Sequence, residues 1–489
     1  MIESTRRAVS RRRLLGGALA GGAALAAGGA LGGCTSRADA RRIDTDDRWR
    51  QFEGTTLNFI SENTAPTAAI AANLQPFTDL TGINVNIVTL ELSAMVQKVA
   101  LDLASGQSQY QIIYADPYQV LAPYSKGLVD LRELADDPTL PGQSAEFGDF
   151  VPVQMDAAGR FGDDGKVYAL PYDCPTMIWH YRKDLFDKYR DRMAAELGFD
   201  PMPGDDSTWE QYLALARWFT DNADEVDYGS GHQAKQHDSL MCDFSNVLWA
   251  YGGDYFEGGQ EIGRLGAVDP GRCTLNSDTA IEAARVYQRL LDVADPASST
   301  WEWDGLGAAF RAERLAMCIN WHEYAADNES VLPGKVGYAR LPKGPSRSAN
   351  HYGGCGIGIS GNTMPNERKA AWLFLKWATD TGTQLSNLSS DAGGGTPTRQ
   401  SVYALPEVRA AEQRPSDMPN MLTASAVEQA WQPENSGLRP KIPMWNECDT
   451  AMYTQLSKML VGDLSPDATM REAAERFDRI TARGWVAAG

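Results

Sequence analysis

At 489 residues, 43% of them hydrophobic and 22% charged, the chain has a globular composition too long for one hydrophobic core, so two lobes are expected. A formal net charge of −19 argues against nucleic acid or an anionic membrane surface as partner, since Lys and Arg are what neutralise phosphates.

Residues 1–33 read as an export signal. Arg6, Arg7, Arg11, Arg12 and Arg13 make a positive start, residues 14–30 are Gly/Ala-rich and weakly apolar, and Leu31-Gly-Gly-Cys34 follows. That order resembles a bacterial lipoprotein signal, in which Cys34 is acylated and becomes the mature N-terminus. Ser10-Arg-Arg-Arg-Leu-Leu15 also resembles a twin-arginine signal, and the glycines set the stretch apart from a plain transmembrane anchor. Its removal takes away five arginines and one glutamate, leaving a more acidic chain, with residues 34–52 as a lipidated polar tether.

Strands and helices then alternate. Residues 56–60 read as a strand and 66–80 as a helix opened by Thr64 and Pro66 and closed by Gly82; Ile83, Val85 and Ile87 alternate as a second strand. Leu92, Met95, Val96, Val99 and Leu103 share one face of a helix ending at Gly106, followed by a strand at 111–115 and a helix at 117–125. This order implies a mostly parallel sheet with helices on both faces. Ligands bind beyond the carboxyl ends of such strands, which here carry Glu62, Asn63 and Asp116.

Residues 167–186 form one extended run interrupted by Pro171 and Pro175. Each proline removes a ladder donor, so the chain is expected to leave one sheet here and enter another, with Tyr172, Asp173 and Cys174 at the crossing. Beyond it, 209–222 is an amphipathic helix, 224–238 a polar loop, 240–251 a helix stopped by Gly252-Gly253, and 279–293 a further helix. A tryptophan-rich turn at 300–307 precedes a strand at 315–320 that delivers Trp321-His-Glu-Tyr324. Strands at 336–340 and 355–360, a helix at 365–379, a turn at 393–398 and two helices within 451–482 complete the chain.

Three enzyme motifs fall short. His322-Glu323 opens like a zinc-protease helix, but Ala326 stands where the second imidazole belongs. Gly356-Ile-Gly358-Ile-Ser-Gly361 matches GxGxxG, yet a tight strand-to-helix turn explains those glycines better than a dinucleotide, and no GxSxG elbow occurs. With no CxxC pair, zinc is not expected; the expected site holds no metal and no cofactor. Cys174, Cys242, Cys273, Cys318, Cys355 and Cys448 permit three disulfides or stand as buried thiols; both readings are open.

Aromatic residues stand beside polar ones at element ends: Trp249 and Tyr251, Trp321 with Glu323, and Trp445 with Asn446 and Glu447. An indole stacks on the CH faces of a sugar while carboxylates and amides take its hydroxyls. Taken singly, each of these tryptophans reads better as core, as Trp209, Trp218, Trp372 and Trp377 do within helical stripes, and Asp116 and Asp173 are equally readable as caps.

In order and spacing, FTDLTGINV (77–85), QIIYAD (111–116), VYALPY (167–172), LWAYGG (248–253), AMCIN (316–320), LPKGP (341–345), AAWLFLK (370–376) and GGTPTR (394–399) resemble the extracellular solute-binding proteins of ABC-type importers, in the carbohydrate-binding family that includes maltodextrin- and glycerophosphodiester-binding proteins. The resemblance implies a type II two-lobed α/β fold that closes on a ligand like a hinge, with no chemistry performed, acting as a monomer with permease subunits. It implies lobe 1 at 53–172 and 350–400, and lobe 2 at 173–349 and 401–489. Ligand contacts are expected at Glu62, Asn63, Asp116, Tyr172, Asp173, Trp249, Tyr251, Trp321, Glu323, Gly353, Gly354, Arg399 and Trp445. The ligand so implied is a sugar, oligosaccharide or polyol; alternatives are a phosphorylated polyol with Arg399 as the anion contact, or a carbohydrate-active hydrolase or lyase using Glu62 or Asp173. Cys174, Cys355 and His322 depart from general family features, which puts an ordinary maltodextrin in doubt.

Overall fold

The computed structural model describes residues 47–141, 144–162, 164–390, 395–411 and 418–484. The export signal, Cys34 and Gly393-Gly394 lie outside these residues. Among the described residues eleven strands follow in order: β1 (Thr56–Glu62), β2 (Asn84–Leu90), β3 (Ile112–Ala115), β4 (Ala169–Asp173), β5 (Met177–Arg182), β6 (Tyr228–Gly231), β7 (Leu315–Trp321), β8 (Val336–Ala339), β9 (Asn350–His351), β10 (Cys355–Ile359) and β11 (Ser436–Gly437).

β4 belongs to one sheet, ordered β2-β1-β3-β10-β4, and β5 to another, ordered β6-β7-β5-β8. The chain therefore changes sheets at 174–176. Pro171 is tolerated because β4 is an edge strand, and Pro175 falls in the gap. In each sheet one strand runs against the rest: β10 is antiparallel to β3 and β4, and β5 to β7 and β8. Two α/β lobes result, each with its own core. Phe59, Phe77, Phe374 and Trp377 interlock in the first, and Trp179, Trp209 and Tyr212 in the second. The helix Pro365–Ala378 joins the first core, while Trp445–Leu460 and Pro466–Ala482 join the second. A third cluster gathers side chains from 402–438 around Cys174, Ile178 and Tyr352 at the crossing.

Several elements differ from expectation. Residues 66–80 are two helices, Ala65–Ala72 and Gln75–Thr81, because Pro76 has no N–H to continue the first. Residues 117–125 form short irregular helical turns; Pro123 lies among them. The loop at 224–238 contains β6, whose two glycines hide it from any alternation pattern. A Cβ on Gly229 would sit 1.9 Å from the Ala216 carbonyl oxygen, so only glycine lets the strand lie this close to the helix Trp209–Asn222. The tryptophan-rich turn becomes the helix Trp303–Arg311. Gly356 and Gly358 are not in a turn; they lie inside β10, where a Cβ would meet the Ala158 and Tyr168 carbonyl oxygens at 2.8 and 2.7 Å. All six described cysteines are buried free thiols. At the crossing, the Tyr352 hydroxyl donates to Cys174 Sγ at 3.1 Å.

One buried lysine ties a junction together. Lys441 Nζ, fully enclosed, lies 2.8 Å from Asp156 O, 3.0 Å from Ala157 O, 2.6 Å from Arg160 O and 2.9 Å from Arg264 O, so its protons serve the 155–160 turns and the end of the helix Gly259–Leu265 together. Lys441→Met leaves those carbonyls without a donor and should cost about 3 kcal/mol of stability. The denaturant midpoint should fall with no change in m-value; an unchanged midpoint would show the ammonium to be dispensable.

Candidate functional site

β1, β3 and β4 run in the same direction, so their carboxyl ends reach one edge of the first sheet with Glu62 and Asn63, Asp116 and Asp173. β10 runs oppositely, and its beginning, Gly353 to Cys355, arrives at the same edge. In the second sheet β6 leads toward Asp238, the first residue of the helix Asp238–Ala250, and the parallel β7 ends in Trp321 and Glu323. Between these ends lies a cavity of about 310 Å³ lined by residues from both sheets. That is the small end of ligand cavities, which run to about 1,000 Å³.

The walls combine carboxylates and rings. Asp116 Oδ1 accepts from the backbone N–H groups of Tyr118 (2.9 Å) and Gln119 (2.7 Å), so this residue both caps a turn and faces the cavity. Burial pushes its carboxyl up, against the opposing pull of Arg439. Asp173 is 2% exposed; its Oδ2 accepts from the Tyr114 hydroxyl at 3.1 Å, and the Thr64 hydroxyl and the Glu323 carboxyl also lie against it. Burial raises it to about 6. The Glu62 carboxylate has no hydrogen bond or ion pair among the described residues, and desolvation, then Asp173, Asp116 and Asp238, push it to about 8. Among the described residues Arg439 is the sole cation lining the cavity, 3.3 Å from Asp238 Oδ1 and stacked over Tyr118 at 4.1 Å.

Glu323 is set by a relay. The Thr176 N–H donates to His322 Nδ1 at 3.1 Å, which leaves the proton on Nε2 to donate to Thr396 Oγ1 at 2.9 Å; the Thr396 hydroxyl then donates to Glu323. Burial pulls His322 down to about 4, consistent with this neutral tautomer, while burial and then Asp173 hold the Glu323 carboxyl well above its usual range. Trp321 packs its six-membered ring against Gly353, where a Cβ would stand 2.7 Å from the indole.

A family model described as a bacterial extracellular solute-binding protein matches residues 72–416. The chain belongs to that family. A probable ABC transporter-binding protein of Deinococcus radiodurans is 24% identical over 330 residues, 66% of this chain and 70% of its own length. The maltose-bound MalE3 structure of T. maritima superposes with a TM-score of 0.70 at 22% identity, covering 87% of this chain and all of that one. A solute-binding protein of Agrobacterium radiobacter K84 in complex with ribitol gives a TM-score of 0.70 at 23% identity, over 88% of this chain and 99% of that one. These structures share the two-lobed fold.

In this solute-binding fold, Glu62, Asn63, Asp116, Asp173, Trp321, Glu323 and Gly353 line the cavity; six other expected contacts lie outside it. Tyr172 turns into the first core, edge-on to Phe59 and Tyr114, since adjacent strand residues face opposite ways. Trp249 is 1% exposed, packed on His351 with its N–H 3.4 Å from Asp254, and Tyr251 is half-buried against the same core. Trp445 packs edge-on to Tyr255 and Phe477. Gly354 backs onto the Tyr352 hydroxyl. Arg399 is stacked over Phe150 at 4.2 Å, bonded to the Thr379 carbonyl and 3.4 Å from Asp149, so its charge is answered away from the cavity.

Sequence reasoning missed Tyr114, Asp238, Trp303, Tyr324 and Arg439 on the cavity wall. Trp303 sat in the stretch read as a turn, and Tyr324 in the Trp321 cluster. Arg439, between Leu438 and Pro440, carried no local signal.

Proposed function

We propose that the chain is the substrate-capturing subunit of an ABC-type importer, tethered outside the cell by a lipid on Cys34, taking a sugar or polyol between its lobes and handing it to a permease. The observation that carries this reading is the cavity between the carboxyl ends of the two sheets, where Trp303 and Trp321 stand beside Asn63 and buried carboxylates. Apolar ring faces and multiple acceptors are what a polyhydroxylated ligand needs. The ligands of the two structural neighbours, maltose and ribitol, are of this class. A phosphorylated polyol is disfavoured, because Arg399 is outside the cavity and carboxylates dominate its wall. Binding proceeds without bond breaking, and closure is driven by contacts that the closed form alone makes.

A panel of alditols, monosaccharides and disaccharides should identify a ligand that raises Tm by several degrees at saturation and shifts tryptophan emission. Trp321→Ala should weaken that ligand by about tenfold or more. Silence across the whole panel in both readouts would sink the sugar-or-polyol reading.

A further inference from the structure

We propose that the ligand of this cavity is a polyhydroxylated cation, an amino sugar or amino-alditol with one protonated amine, taken in preference to its neutral or phosphorylated counterparts; this deepens the sugar-or-polyol reading and rests on it. The charges on the wall do not balance. Asp238 is paired with Arg439 at 3.3 Å, and Asp116 faces the same guanidinium. Asp327 is 3.4 Å from Arg311, Asp304 accepts from the Tyr324 hydroxyl and Glu323 from Thr396. Among the described residues Glu62 and Asp173 are left without a cation: the almost wholly buried Asp173 has only the neutral Thr64 and Tyr114 hydroxyls and the Glu323 carboxyl about it. A cluster of buried carboxyls with no cation resists ionising, and a ligand ammonium brings three donors and the positive charge that lets it do so. Trp303 and Trp321 supply ring faces for the ligand's CH groups and for the cation itself. A phosphate would enter against the repulsion of these carboxylates with a single guanidinium to meet it.

The proton balance gives this reading its own signature. Glu62 faces Asp173, Asp116, Asp238 and Glu91, and holds its proton near neutral pH, up to about 8. An ammonium placed against it favours the ionised form, so Glu62 gives up a proton to the buffer on binding. A neutral polyol leaves that proton in place.

The test is titration calorimetry on the intact protein at pH 7.5 with matched compounds: D-glucosamine against D-glucose, 1-amino-1-deoxy-D-glucitol against D-glucitol, and D-glucose 6-phosphate. An amine should bind about tenfold or more tightly than its hydroxyl partner, with a heat that differs between phosphate and Tris buffers. The phosphate ester should not bind. Glu62→Gln should abolish the buffer dependence, and Asp173→Asn should reduce the amine preference to about threefold or less. If neutral partners bind as tightly as the amines, or the amines bind without proton release, the cation assignment is overturned while the sugar-or-polyol reading stands. If no compound of the set binds, the cation assignment is overturned, and the wider panel of alditols, monosaccharides and disaccharides decides the sugar-or-polyol reading separately.

Discussion

An Arg439→Met variant is expected to be about 3–5 kcal/mol less stable than the parent at pH 8, and to recover much of that deficit at pH 5. Arg439 is 5% exposed and stacks on the Tyr118 ring while pairing with Asp238. Its charge also opposes the rise that burial imposes on Asp116 and on Asp449. Methionine conserves most of the volume, so the loss is electrostatic: three carboxylates face one another with no cation between them. The folded-state pKa values of Asp116 and Asp449, already raised by burial, then rise further above those of the unfolded chain. A carboxylate raised in this way favours the folded state below its unfolded pKa, and that contribution disappears as pH climbs through the folded value. The deficit should therefore grow from pH 5 to pH 8. Urea unfolding at both values measures it, with Arg439→Lys falling in between because an ammonium keeps the charge but loses the planar stack. An equal loss at both pH values would assign the role of Arg439 to packing alone.

That arginine also shows where the sequence stopped being informative. The first lobe was legible because Ile83, Val85 and Ile87 alternate and Gly106 closes a clean helical stripe, so local periodicity located the strand ends and with them Glu62, Asn63 and Asp116. The sheet crossing was legible because proline is intolerant of a central ladder. Burial of individual aromatics was not. Trp249, Trp321 and Trp445 all stand beside polar residues in sequence, yet Trp321 ends a strand pointing into the cleft, whereas Trp249 lies on the helix Asp238–Ala250 and Trp445 opens a helix facing Phe477. Neighbours in the chain cannot tell these apart, because what decides is the partner across the lobe. Arg399 failed likewise: its answering groups, Asp149 and the Thr379 carbonyl, come from distant segments. Arg439 and Asp238 reach the cavity only because 436–441 packs against the second lobe, a long-range fact with no periodic trace.

The unliganded protein should lose stability steadily as pH rises from 5 to 9, opposite to proteins held by ionised, salt-bridged carboxylates. Burial lifts Asp173 to about 6, and burial with the surrounding Asp173, Asp116, Asp238 and Glu91 charges lifts Glu62 to about 8. In the unfolded chain both ionise near pH 4, as ordinary carboxylates do. Below that pH the two states hold the same protons. Above it the folded state retains protons that the unfolded state has released, so each further pH unit favours unfolding until the folded values are passed. Each retained proton is worth about 1.4 kcal/mol per pH unit. Water in the cavity reaches the half-buried Glu62 and screens part of this, so a loss on the order of 3 kcal/mol across the range is expected, seen as a fall of several degrees in Tm. Glu62→Gln keeps the shape and removes the titration. Its Tm should exceed the parent's at pH 8, match it near pH 4.5, and vary less between them. The general repulsion of an acidic chain would persist in that variant, so a slope identical to the parent's would trace the pH dependence to net charge and not to the cavity. A flattened slope would mean that the empty cleft carries a destabilising charge at the position where a ligand cation relieves it, which ties the stability of the unliganded lobes to the chemistry of what they capture.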